Sequence, residues 1–170
     1  MEATGVLGID VGGVIIDRVN DGTDTSFMGD NYLQTTAVPG VFAAIARLVG
    51  ERFGAKNTYV VSKCGQNVQD KTLRWLAHHR FYELTGVDPT HVRFCRKRHE
   101  KGPICAELGI TDFVDDRLEV LSHLTTVPRR YLFRASTKEV QQFNAHLPGV
   151  IQVTEWSEIV ARLLPETRVG

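Results

Sequence analysis

Asp10 closes an apolar run over residues 5–10, and the pair Asp115-Asp116 closes another that begins at Phe113. Ser62 follows the β-branched run Val60-Val61, and Lys101 sits just before Gly102-Pro103. An acid directly after a buried strand is the first residue to suspect of chemistry. In open parallel sheets the ligand crevice lies at the carboxyl ends of the strands, where such acids converge. Carboxylates gathered there suit a hard cation such as Mg²⁺, which takes oxygen ligands. A hydroxyl and an ammonium beside them suit a group that carries or develops negative charge.

The elements that must position these residues can be read from periodicity. Residues 5–10 read as a buried strand, followed by a tight turn at Gly12-Gly13 and the β-branched residues 14–16. Residues 18–36 are polar, rich in Asp, Gly, Asn and Thr, and read as a surface flap too short for a core of its own. Pro39-Gly40 then opens a helix whose apolar residues Val41, Ile45, Leu48 and Val49 recur at three and four, with Gly54 beyond its end. Further strands are predicted at 58–61, 92–95, 113–114 and 131–133, with an additional one at 150–153. Helices are predicted at 67–79, 104–108, 118–124, 139–146 and 156–164. Strands alternating with helices give an α/β fold, a three-layer sandwich on an open, mainly parallel Rossmann-like sheet, in one domain over residues 1–170.

The segments GIDVGGV, YVVSK, EKGPICAELGI and DFVDDR resemble, in order, the four motifs of the haloacid dehalogenase superfamily. VPGVFAAIARL resembles that family's first helix after the flap, so the resemblance spans residues 6–124. It implies a Mg²⁺-binding, phosphatase-type hydrolase without a large cap domain. Asp10 would be the nucleophile, forming a covalent intermediate that splits one hard displacement into two easier ones. Asp10 would also ligate Mg²⁺ with Asp115, Asp116 and the Gly12 carbonyl. Ser62 would hydrogen-bond the transferring group's oxygens, and Lys101 would offset the charge on Asp10 and the phosphoryl group.

The sequence departs from that pattern at one position. Most phosphatases of the family carry a second Asp two residues after the nucleophile, and here that residue is Gly12. The general acid/base step, worth about 10² to 10⁴ in rate, lacks its expected side chain. Asp17, in the same stretch, is the nearest alternative, though a flap residue is a poor substitute. Two rival readings stay open: a binding or regulatory protein that keeps the fold and metal without activity, and a phosphate-binding domain resembling actin-like sugar kinases, whose Gly-Gly hairpin GIDVGGVIID also matches.

Composition bounds the partners. Lys+Arg 20 against Asp+Glu 20 gives no overall field to draw the chain to nucleic acid or an anionic membrane. No apolar run reaches the roughly 18 residues a membrane span requires. The expected partner is a phosphorylated substrate, small or macromolecular, and the oligomeric state is open. Cys64, Cys95 and Cys105 are odd in number and form no CxxC pair, and the chain starts without an apolar leader, so a reducing, cytoplasmic setting is expected. The basic run over residues 93–101 (Arg93, Arg96, Lys97, Arg98, Lys101) reads as a solvated loop, with steering of a phosphate-rich partner as the alternative. Cys95, His99 and Cys105 match no zinc spacing, and His78-His79 reads as a surface or partly packed pair.

Overall fold

A computed structural model describes residues 4–18 and 29–165. Six strands form one open sheet, every pair parallel: β1 (Leu7–Ile9), β2 (Thr58–Lys63), β3 (Val92–Cys95), β4 (Asp112–Asp115), β5 (Arg129–Phe133) and β6 (Val150–Val153). Their order is β3-β2-β1-β4-β5-β6, so the chain leaves β1 in one direction, returns and continues on the other side. β1 and β4 flank the point where the winding reverses, which is where a crevice opens. The flap read over residues 18–36 falls in part, over 19–28, on residues outside the described ones. Its far end, from Gly29, includes a 3₁₀ turn at Tyr32–Gln34.

Residues of both parities along the central strands are buried, because helices cover both faces. Leu7, Ile9, Val60, Val114, Tyr131, Phe133 and Val153 face α1 (Val41–Leu48), α2 (Gln66–His78), α3 (Phe81–Thr85) and α7 (Trp156–Leu163). Val61, Phe113 and Leu132 face α4 (Lys101–Leu108) and α5 (Leu118–Ser122). α6 (Thr137–Gln142) starts at Ser136, whose hydroxyl accepts from the Glu139 N–H at 3.1 Å. The two tryptophans bury their rings and still satisfy their N–H groups. Trp75 donates to the Thr35 carbonyl and Trp156 to the Val14 carbonyl, each at 2.9 Å.

Three local differences from the sequence reading have physical causes. α4 begins at Lys101 itself, three residues earlier than expected, because Gly102-Pro103 occupies the first turn, where the missing proline N–H costs nothing. α3 was not anticipated: it is just over one turn long, enters from Arg80 at φ 56° and leaves at Gly86 at φ 84°. A left-handed arginine gives no sequence signal. Residues 14–16, β-branched after the Gly12-Gly13 turn, do not continue as a strand. The N–H groups of Val14, Ile15 and Ile16 converge on the Val11 carbonyl at 3.2, 2.9 and 3.1 Å, and β1 pairs only with β2 and β4.

β1 and β4 approach closely because Gly8 lies opposite Phe113 in the register. A Cβ at Gly8 would sit 2.5 Å from the Phe113 ring and 2.9 Å from Ile110. Gly8→Ala is therefore expected to destabilise the chain by about 1–3 kcal/mol through overpacking, measured by urea unfolding; an unchanged midpoint would show that the ring is free to move aside.

Candidate functional site

The β1–β4 register places Ile9 beside Val114, and the Asp10 N–H donates to the Val114 carbonyl at 3.0 Å. Asp10 therefore lies alongside Asp115, the last residue of β4, and Asp116 follows in the turn. Ligand oxygens of Asp10, Asp115 and Asp116 all lie within 4.8 Å of one another. Lys101 enters from the first turn of α4. Its Nζ donates to Asp10 Oδ1 and Asp115 Oδ2, each at 2.9 Å, and packs 5.4 Å from the Phe113 ring centroid.

Burial governs the electrostatics. Lys101 is 2 % exposed. Its surroundings alone would discharge it, but the charges of Asp10 and Asp115, with their hydrogen bonds, outweigh that penalty and hold its pKa above the ordinary range. Asp115 is pushed up to about 6, first by burial and then by the charge of Asp10, against the pull of Lys101. Asp116 is pushed up to about 8 by burial and by its two acidic neighbours, with Arg18 and Arg117 opposing. One buried ammonium does not balance three carboxylates.

Arg18 supplies part of the remainder, its Nη2 2.7 Å from Asp116 Oδ2. That contact depends on Gly13, which sits at φ 77° and whose added Cβ would lie 2.5 Å from Asp116 Oδ2 and 2.7 Å from Arg18 Nε. Asp115 is held from the other side by the Arg117 N–H, which donates to its Oδ1 at 3.0 Å.

These groups line an open cleft of about 580 Å³ that also takes in Gly12, Ser62, Cys64 and Asp17. All six site residues expected from sequence, Asp10, Gly12, Ser62, Lys101, Asp115 and Asp116, meet there. Sequence reasoning did not place Arg18, Lys63 or Arg117 in the cleft, although the position of each directly after an expected site acid or hydroxyl, or after Asp17, was a usable signal. Asp17 was expected on a flap. Its backbone is instead anchored: its N–H donates to the Thr36 carbonyl at 2.8 Å, and Ile16 pairs with Ala37.

The basic run divides by role. Arg93 reaches Glu107 at 3.5 Å, and Arg96 ties the end of β3 to the start of α2 through the Cys64 carbonyl, Gln66 and Gln69. Arg98 pairs with Glu119 at the cleft rim, and Lys101 is in the interior. His79 stacks on Trp75 at 4.1 Å and contacts the Leu33 carbonyl at 2.8 Å, tying α2 to the far end of the flap.

No protein-family model matches this chain, and no curated protein matches it. Among the described residues, no helix is long and apolar enough to cross a membrane.

Two outcomes follow from the charge imbalance. Asp115 and Asp116 titrate near 6 and 8 in the folded chain against an ordinary value of 3.8, so the folded state holds more protons across that interval. In EDTA, thermal stability is expected to fall as pH rises from about 4 through 8, and Asp116→Asn should flatten the upper part of that fall. Differential scanning fluorimetry across pH checks both; a metal-free melting temperature that rises over this window would refute the assignment. Lys101→Met leaves two buried carboxylates without their shared cation, which is expected to cost about 3–5 kcal/mol in urea unfolding with EDTA present.

Proposed function

We propose that the chain is a Mg²⁺-dependent phosphohydrolase of the haloacid dehalogenase type, with Asp10 as its nucleophile. The observation that carries this reading is the meeting of Asp10, Asp115 and Asp116 within 4.8 Å, with Lys101 bridging two of them. The donor set fits a hard divalent cation: three carboxylates, two with pKa values raised by burial and mutual repulsion, and a buried ammonium among them. Asp10, Asp115 and Asp116, with the Gly12 carbonyl, would hold the ion. When bound it would neutralise charge that otherwise repels an anionic nucleophile from an anionic phosphate.

The chain's own residues supply the rest. Lys101 donates to Asp10 Oδ1 at 2.9 Å and so fixes one of its oxygens, leaving the other to attack phosphorus. The Asp10–phosphorus bond forms as the ester oxygen departs, and water then releases phosphate from the aspartyl intermediate. Ser62, 6 % exposed at the end of β2, would donate to a phosphoryl oxygen. The cleft is open, which suits bulky as well as small phosphoesters.

One observation favours a second reading, a metal-binding relative without turnover: Gly12 offers no proton two residues after the nucleophile. The two separate in one assay. Phosphate release from p-nitrophenyl phosphate is expected with Mg²⁺, to stop with EDTA, and to drop about 10³-fold or more in Asp10→Asn. Release indifferent to both changes would end the phosphohydrolase reading, and Mg²⁺-induced stabilisation without any release would select the non-catalytic one.

A further inference from the structure

A phosphoester with a poor leaving group needs a proton delivered to the departing oxygen, and the aspartyl intermediate needs a base to activate water. Asp115 and Asp116 are committed to the acid cluster, and Lys101 is bonded to two carboxylates. Among the described residues, the cleft has one further carboxylate, Asp17.

Three observations place Asp17 for that work. The first is the fold of the turn after β1. The Gly13 N–H donates to the Ile16 carbonyl at 2.9 Å and Gly12 pairs with Ile16, so the chain loops out and comes back beside Gly12. Asp17 is the next residue.

The second is rigidity. Asp17 is bracketed by the Ile16–Ala37 pairing and its own bond to the Thr36 carbonyl on one side, and by the Arg18–Asp116 ion pair on the other. The neighbour on its carboxyl side is thus tied to the acid cluster itself. Catalytic groups must be held this way to act in the transition state.

The third is availability. The Asp17 side chain is half-buried at the cleft and makes no hydrogen bond or ion pair with any described residue. The space at Gly12 is also open: a Cβ built there meets no atom of the described residues within 4 Å.

We propose that Asp17 is the general acid and base of this cleft, acting across the space that Gly12 leaves open; the inference rests on the phosphohydrolase reading. In the first half-reaction the Asp10 oxygen bonds to phosphorus, the phosphorus–ester oxygen bond breaks, and the departing oxygen takes the Asp17 proton to leave as an alcohol. In the second, Asp17 as carboxylate takes a proton from water while the water oxygen bonds to phosphorus and the phosphorus–Asp10 bond breaks. Asp17 ends protonated and Asp10 ends as carboxylate, so both are restored and one water is consumed per phosphate released.

The test is a leaving-group series, p-nitrophenyl phosphate to phenyl phosphate, assayed for kcat/KM with Mg²⁺ in the parent chain, Asp17→Asn, and Asp17→Asn combined with Gly12→Asp. Asp17→Asn is expected to lose about 10² to 10⁴ on phenyl phosphate and less than about tenfold on p-nitrophenyl phosphate, whose leaving group needs little protonation. The steeper dependence on leaving-group pKa is the signature, because a merely structural defect lowers both substrates alike. The added Gly12→Asp carboxylate is expected to recover at least about tenfold on phenyl phosphate. Equal losses on the two substrates, or no loss on phenyl phosphate, overturn the assignment of Asp17 and leave the phosphohydrolase reading standing. A parent chain that hydrolyses neither ester overturns both.

Discussion

The site depends on one buried ammonium. Lys101 donates to Asp10 and to Asp115 from a position 2 % exposed, and no other cation among the described residues bridges two carboxylates at that depth. The sheet forces the problem: with Ile9 beside Val114, the strand-end acids of β1 and β4 are neighbours whatever their charge. Removing a charge from water is expensive, and only a partner with good geometry repays it. α4 provides that partner by starting at Lys101, which aims the side chain back toward the ends of the strands.

The solution is incomplete, and the incompleteness shapes the surroundings. Asp116 has no hydrogen bond from Lys101, so its countercharge comes from Arg18, at the root of the flap. The pair can close only because Gly13 has no Cβ. A backbone feature of the first loop thereby admits part of the countercharge of an acid that follows the fourth strand, and it ties down the chain on the carboxyl side of Asp17.

Much of this was legible in the sequence, and the missing parts share a cause. The parallel α/β sheet, the β3 bounds and the meeting of Asp10, Ser62, Lys101, Asp115 and Asp116 follow from apolar runs that end in polar residues, a signal that survives without knowing the tertiary contacts. What was lost depends on backbone conformation. α3 starts from an arginine at φ 56°, and residues 14–16, β-branched and strand-like in composition, wind onto the Val11 carbonyl instead. That turn matters for the site, since it leads into the Ile16–Ala37 pairing and so anchors Asp17, which was expected on the flap. The basic run was equally opaque: charge alone does not separate Arg96, which ties two elements together, from Arg98 at the cleft rim.

β4 carries a buried acid at each end, and the contrast between them separates architecture from chemistry. Asp112, fully buried, accepts from Arg129 at 2.6 and 2.9 Å, from the Thr111 hydroxyl at 2.7 Å and from the Tyr131 hydroxyl at 3.2 Å. Its neighbours answer its charge with donors, so the network stabilises strand pairing and asks for nothing from solution. At the other end of the same strand, Asp115 and Asp116 are pushed up to about 6 and about 8 because burial and mutual repulsion exceed the compensation available. Uncompensated negative charge of this kind, concentrated at the crevice end of the sheet, is what a proposed cation would offset. That debt, together with the open cleft above it, is the physical ground for treating this edge as a place of binding and reaction.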